Sequence, residues 1–144
     1  MKHLFFLFIT FSCILIPNKV KSQIKKLEKG AVLIRLQTNN HLINYYLNNN
    51  DLEKFKEEKE SQKEKNQNII KAFKEAWSLS PVYFFYSNYS NEVIENNFTH
   101  VFNSNEDMLN DSQKKNLKNN FLIGYIGKTT GTLKFDALIL LNSD

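Results

Sequence analysis

The 144-residue chain is 42% hydrophobic, carries a formal net charge of +4 and contains one cysteine. A chain of this length suits one domain, and a lone cysteine excludes both a disulfide framework and a cysteine-rich metal site. The chain is asparagine-rich, with short runs such as Asn48–Asn50. Because these runs are interrupted by apolar residues, we interpret them as a compositional bias that fills loops and helix caps, and not as a prion-like tract.

The N-terminus has the pattern of a secretory signal peptide. An apolar run covers residues 4–17, and Val20 and Ser22 then stand where a signal peptidase accepts small residues. Fourteen helical residues would reach about 21 Å, short of the ~30 Å hydrocarbon core, so the run is too short for a membrane anchor. We expect residues 1–22 to be removed and residues 23–144 to form one secreted or periplasmic domain without a transmembrane span.

The lone cysteine suggests an alternative to free export, namely a lipid anchor. Cys13 follows Thr10, Phe11 and Ser12, which faintly resembles the site where bacterial lipoproteins are cut and lipidated. Apolar residues continue directly after Cys13, whereas a lipoprotein normally turns polar there. The sequence therefore favours a freely exported domain, with a lipid anchor at Cys13 as the alternative.

Processing also changes the charge of the chain. Loss of Lys2, Lys19 and Lys21 with the signal peptide lowers the formal net charge from +4 to +1. This balance gives no reason to expect nucleic acid as a partner. Cys13 leaves as well, so the stability of the domain must come from a packed core.

The first elements of the remaining chain predict a β-α-β unit. Ala31–Leu36 is a compact apolar run typical of a strand buried on both faces, and a short helix is expected over residues 41–47. A long helix follows over residues 52–77. Val82–Tyr86 is aromatic on both faces and predicts a second central strand. The two strands should be parallel, with a right-handed crossover.

The long helix has an unusual middle. Thirteen polar residues of mostly high helix propensity run from Lys56 to Asn68, with apolar residues on either side. An unbroken helix would be about 39 Å long, against ~17–20 Å for a typical strand. The helix should therefore overhang the sheet or break near residues 66–68. Its polar segment is interpreted either as a solvated face or as an arm that docks a partner.

The C-terminal half predicts a hairpin. A short helix is expected over residues 90–97 and a brief strand over 99–102. The polar segment over residues 103–120 is expected to hold one weak helical turn around Leu117. Strands are expected over residues 121–126 and 133–141, joined by a tight antiparallel turn. The predicted fold is one α/β domain with a mixed sheet of four to five strands.

Candidate catalytic chemistry is sparse. His41 and His100 have no acidic residue at a ligand-like spacing, so no metal site is predicted. Gly127-Lys128-Thr129 resembles the end of a phosphate-binding loop, but position 122 is leucine where that motif needs glycine. The sequence therefore predicts no catalytic, cofactor-binding or metal-binding residue. A hydrolase that uses His100 is the enzymatic alternative.

The signal sequence ending in Ser-Gln, the arginine in the first strand, the long polar helix and the segment Ser-Pro-Val-Tyr-Phe-Phe-Tyr-Ser resemble a group of small exported proteins of Bacteroidota-type bacteria. The resemblance implies export and carries no activity with it. The leading functional interpretation is a non-catalytic interaction or binding module. It would meet its partner through the polar helix or through the last strand as an open sheet edge. A further alternative is a degenerate, shortened relative of a longer exported protein.

Overall fold

A four-stranded mixed sheet in the order β2-β1-β3-β4 organises the chain. The computed structural model describes residues 27–130 and 132–142, so the expected signal peptide over residues 1–22 and Cys13 lie outside the described residues. The strands are β1 (Ala31–Leu36), β2 (Val82–Tyr86), β3 (Phe121–Lys128) and β4 (Asp136–Asn142). Strand β1 pairs in parallel with both β2 and β3, and β3 pairs antiparallel with β4. The predicted α/β class, β-α-β unit and C-terminal hairpin are confirmed.

Helices connect the strands on both sides of the sheet. They are α1 (Asn40–Asn48), α2 (Leu52–Ala76), α3 (Ser90–Ile94) and α4 (Asp111–Leu117), with a 3₁₀ turn at Ser87–Tyr89 before α3. The connection between β1 and β2 contains α1 and α2, whereas the connection between β2 and β3 contains α3 and α4. Among the described residues, no helix is both long and apolar enough to cross a membrane.

Alternating residues of the strands divide the core into two layers. Val32, Ile34 and Leu36 pack with Phe84 against Ile70, Phe73 and neighbouring residues of α2, on what we call the α2 face. Ala31 and Leu33 pack instead with residues of α3 and α4, on the α4 face. Both faces of β1 are therefore covered, which is the environment that its continuous apolar sequence predicts.

Helix α2 is continuous through its polar middle. Asp51 caps it by accepting a hydrogen bond from the Lys54 N–H, and 25 residues follow without a break. Its N-terminal part packs on α1, beyond the sheet. Of the two expected geometries, the overhanging helix is therefore the observed one. The expected break near residues 66–68 does not occur, because Asn66 is held by hydrogen bonds instead of ending the helix.

The segment after β2 departs from the sequence expectations. Helix α3 ends at Ile94 and does not reach residue 97, because Asn96 adopts a left-handed conformation with φ 61°. The strand expected over residues 99–102 is reduced to two isolated antiparallel bridges, from Phe102 to Phe84 and from Phe102 to Met108. The Asn97 side chain accepts hydrogen bonds from the N–H and hydroxyl of Thr99, which holds that residue in a turn.

Two further elements differ in length from the expectation. Helix α4 is a regular helix and not a single weak turn, since Asn110 and Gln113 cap it reciprocally. Strand β4 begins at Asp136, three residues later than expected, because Thr129 binds the backbone of Phe135 and closes the loop there.

Candidate functional site

The connections after β1 and β2 leave the sheet in opposite directions. From the carboxyl end of β1 the chain passes to α2 on one face, and from the end of β2 it passes to α3 on the other face. Open α/β sheets bind their ligands beyond the carboxyl ends of the parallel strands. Geometry alone therefore selects this end of the sheet as the candidate site.

A cleft of about 390 Å³ occupies that position. It is lined by Gln37 and Thr38, which follow β1, and by Tyr86, the last residue of β2. The side chains of Thr38 and Ser87 join the two strand ends through a hydrogen bond of 3.1 Å between their hydroxyl oxygens. The volume is within the range of small-molecule sites. The dominant side chains are amides: Gln37, Asn40, Gln62, Asn66, Gln67 and Asn88.

Two buried amides on α2 fix the inner wall of the cleft. Asn66 is 5% exposed and donates a hydrogen bond of 2.7 Å to the carbonyl of Gln37, the first residue beyond β1. Gln62 is 7% exposed and donates through Nε2 to Asn66 Oδ1 at 3.1 Å. The Gln62 side chain also lines the cleft, where its Oε1 is open to solvent. An acceptor at the surface of a cleft is available to a ligand donor.

The N-terminus of α1 reaches the cleft from a second side. Its first helical hydrogen bond runs from the Ile43 N–H to the Asn39 carbonyl, so the N–H groups of Asn40, His41 and Leu42 precede any intrahelical bond. Asn39 has φ 47° and makes no side-chain cap, and its Nδ2 donates to Glu58 Oε1 at 2.8 Å. Asn40 lines the cleft, so the positive end of the α1 dipole lies at its wall.

Charges of both signs line the cleft on different elements. Lys59 and Lys63 come from α2, whereas Glu106 comes from the loop before α4. Glu106 lies near Tyr86, and partial burial of the phenol together with this negative charge raises the pKa of Tyr86 above its ordinary value. The phenol therefore stays protonated at neutral pH and remains able to donate a hydrogen bond. The site is basic on the α2 wall, and acidic and aromatic on the opposite wall.

His100 lies behind the aromatic wall. Its Nδ1 is 3.0 Å from Glu92 Oε2, and its ring stacks on Tyr89 with centroids 3.8 Å apart. Tyr89 lines the cleft, but His100 does not. The carboxylate that orients His100 is thus eight residues upstream, on α3, at a spacing that no simple motif predicts. Asp136 does not contact His100 and pairs with Lys128 at 2.8 Å on the hairpin.

The remaining sequence candidates are placed as follows. The polar segment from Lys56 to Asn68 contributes five side chains to the cleft wall or its buried amides: Lys59, Gln62, Lys63, Asn66 and Gln67. Gly127 and Lys128 belong to β3, so this Gly-Lys-Thr sequence is part of a hairpin and opens no helix. Among the described residues, no group of three or more His, Cys, Asp or Glu side chains is arranged to hold a metal ion.

Sequence reasoning missed the amides although a signal for them existed. Phe55, Gln62, Asn66, Ile70 and Phe73 follow one another at helical spacing along the inward line of α2. Extending the helical spacing of the apolar residues through the polar segment would have placed both amides on the inward side of α2.

Comparisons of the chain with protein-family models, with curated proteins and with solved structures return no match.

Proposed function

We propose that the chain is an exported, non-catalytic binding module whose ligand occupies the cleft beyond β1 and β2. The observation that carries the proposal is the buried amide pair Gln62 and Asn66, at the point where the strand connections diverge. Burial of polar side chains costs free energy unless their hydrogen bonds are satisfied. Here the hydrogen bonds of Gln62 and Asn66 hold both side chains in place, so a ligand in the cleft would meet polar groups that are already oriented.

The proposal gives the polar helix a definite role. Helix α2 meets the ligand with its inward amides and with Lys59 and Lys63, the two lysines that line the cleft, and not with its outward charged face. The last strand remains a second surface for a partner, since the outer edge of β4 has no strand beside it among the described residues. The cleft is the stronger candidate because its groups converge on one volume, whereas the edge offers only backbone hydrogen bonds.

The test is a binding measurement by NMR on the domain from residue 23. A low-molecular-mass fraction of the growth medium or cell envelope extract is added to ¹⁵N-labelled protein. We expect chemical shift changes at Thr38, Gln62 and Asn88. Asn88→Trp should abolish these changes, because the bulky indole enters the cleft. Asn91→Trp is the matched control, since Asn91 is exposed on α3 and does not line the cleft.

The two variants also define failure. Shift changes that map away from the cleft, or that survive equally in both variants, would show that the ligand binds elsewhere. Absence of shift changes with every fraction would remove the cleft as a ligand site.

A hydrolase that uses His100 is the second candidate, and the Glu92 contact favours it. A carboxylate on Nδ1 fixes the imidazole tautomer and leaves Nε2 free as a base. Should a hydrolytic activity be found, His100→Ala should abolish it and Glu92→Gln should reduce it. Full activity in His100→Ala would end this hypothesis. A parallel measurement of thermal unfolding shows whether either variant acts through loss of folding.

A further inference from the structure

We infer that the part of the α4 face around Arg35 and strand β4 binds an amphipathic helix of a protein partner, and that this helix carries a carboxylate beside its apolar stripe. The surface is separate from the cleft of the proposed function, because none of its residues lines that cleft. Three features of the described residues carry the inference: an uncovered apolar strip, a glycine that keeps the strip flat, and an arginine without an anionic partner.

Strand β4 is covered on only one of its two faces. On the α2 face, Leu138 and Leu140 pack against the buried cluster that contains α2 residues. The buried cluster on the α4 face includes no residue of β4, and from β3 it includes nothing beyond Ile123. Cross-strand partners lie on the same face of a sheet, so the register of β3 and β4 continues this face outward. The apolar residues that continue it, which we call the open strip, are Tyr125, Ile139, Leu141 and Phe135.

Gly127 keeps the open strip flat. A Cβ atom at this position would lie 2.9 Å from the Tyr125 ring and 3.1 Å from Ile139 Cδ1, so these two side chains lie across the space that a larger residue would fill. Glycine inside a strand often marks a place where another backbone approaches closely. Phe135, which is 64% exposed, extends the strip toward the hairpin loop.

Arg35 borders the open strip from β1 and has no anionic partner. It is the only arginine among the 19 lysine and arginine residues of the chain. Its guanidinium carbon lies 4.9 Å from the centre of the Tyr125 ring, and its Nε is buried without a hydrogen-bond partner. None of the ion pairs among the described residues includes it. A partly buried charge costs free energy until a counter-charge compensates it, and the planar guanidinium suits a carboxylate at an interface.

The open strip has the dimensions of one helix. Tyr125 and Ile139 are paired on neighbouring strands, so the strip is about 10 Å wide, which is the diameter of an α-helix. From Leu141 to Phe135 it is about 20 Å long, the length of about 14 helical residues. The rest of the sheet is covered by helices of the chain itself. A partner helix would cover the strip in the same way and place its carboxylate at Arg35.

The experiment measures the binding of three synthetic peptides to the ¹⁵N-labelled protein by NMR. Each peptide has about 14 residues and the same leucine stripe at helical spacing. The three differ at one position beside the stripe, which is glutamate, glutamine or lysine. We expect the glutamate peptide to shift the Arg35 Nε–H resonance and the backbone resonances of Tyr125 and Ile139. Its affinity should be about tenfold above that of the glutamine peptide, because only the carboxylate gains a charge-assisted hydrogen bond, and the lysine peptide should bind most weakly.

Two charge variants test the role of Arg35. In Arg35→Met the glutamate and glutamine peptides should bind equally. Lys56→Met is the matched control, since it removes a charge from an exposed position on α2, at the other face of the sheet, and should leave the preference unchanged. Urea unfolding should show that Arg35→Met is no less stable than the wild type, because the charge that it removes has no partner in the free protein.

Two apolar variants test the strip. Phe135→Ser should weaken binding of the glutamate and glutamine peptides by about tenfold each, because a large apolar contact is lost. Leu79→Ser is the control, since Leu79 is 69% exposed between α2 and β2 and should not affect either peptide.

Several outcomes would overturn the inference. Equal affinity of the glutamate and glutamine peptides for the wild type would remove the role of Arg35, and failure of all three peptides to bind would remove the docking surface. Shifts confined to the backbone of β4 that persist in both Arg35→Met and Phe135→Ser would show strand pairing at the sheet edge instead of helix docking. These outcomes leave the cleft beyond β1 and β2 untouched, since that site has its own test.

Discussion

At the level of single residues, the burial of Asn66 is the feature that the sequence did not predict. The Gln37 carbonyl lies just beyond β1 and is paired by Asn66, twenty-nine positions away in the chain. A polar residue in the middle of a charged helix is ordinarily solvated, so composition alone gives Asn66 no structural role. Asn66 is buried because β1 ends beside that turn of α2. The Gln37 carbonyl, which lies beyond the strand, then takes Asn66 as its hydrogen-bond partner.

Replacing this amide should therefore destabilise the domain. Asn66→Ala leaves the Gln37 carbonyl without its partner and removes the acceptor of Gln62, so we expect a loss of about 1–3 kcal/mol in the free energy of unfolding. Asn68→Ala is the matched control on the same helix. Since Asn68 is exposed, its substitution should change stability by no more than about 0.5 kcal/mol. Urea unfolding followed by circular dichroism measures both. Equal stability of the two variants would contradict the buried role of Asn66.

The helix cap at Asp51 gives a pH dependence. The Lys54 side chain, and after it the Lys54 N–H, lower the pKa of Asp51 below its ordinary value of 3.8. A carboxylate with a lowered folded pKa contributes stability that is present above the unfolded pKa and is lost as the pH falls through the folded pKa. The Asp51→Asn variant keeps a cap but does not titrate.

We therefore expect the wild type to be the more stable of the two at neutral pH, with the difference disappearing as the pH falls below about 3.8. Thermal unfolding of both proteins across the acidic range measures this convergence. A difference that stays constant down to strong acid would show that the Asp51 charge does not contribute to the cap.

At the scale of elements, continuous apolar runs in the sequence predicted strands correctly. Strands β1 and β2 were predicted with their observed bounds, because each is a nearly continuous apolar run whose central residues are buried. The secondary structure of polar segments was predicted less accurately. The cap of α4 follows the spacing of Asn110 and Gln113 and was available in the sequence, whereas the turn that replaces a strand at Thr99 depends on one side chain.

The continuity of α2 can be tested at the expected breaking point. Asn68→Pro removes one helical N–H, and its ring clashes with the preceding turn, so a continuous helix should lose about 3 kcal/mol or more. A helix that ended near Asn66 would accept the proline with little loss. The Asn68→Ala variant again serves as the control for loss of the side chain alone, and urea unfolding measures both.

At the scale of the whole molecule, the two edges of the sheet differ. Beyond β2, Phe102 pairs with Phe84 through two backbone hydrogen bonds of 2.8 and 2.9 Å and covers part of that edge. Beyond β4 the described chain adds no strand. The apolar sequence of β4 predicted a strand, but no local pattern could show which of its edges would remain free, since that depends on the order of all four strands.

The free edge should make the domain self-associate at high concentration. Leu141 on β4 is 44% exposed, and an apolar edge strand is a template for pairing with another chain. Leu141→Lys places a charge on this edge and should reduce concentration-dependent association, measured by sedimentation velocity, with little loss of stability. Leu52→Lys is the control, because Leu52 is 56% exposed at the start of α2 and lies away from the edge. An equal reduction in both variants would indicate a general effect of charge on solubility. A reduction confined to Leu141→Lys would assign the association to the edge of β4. The cleft beyond β1 and β2 would then remain accessible in the associated form.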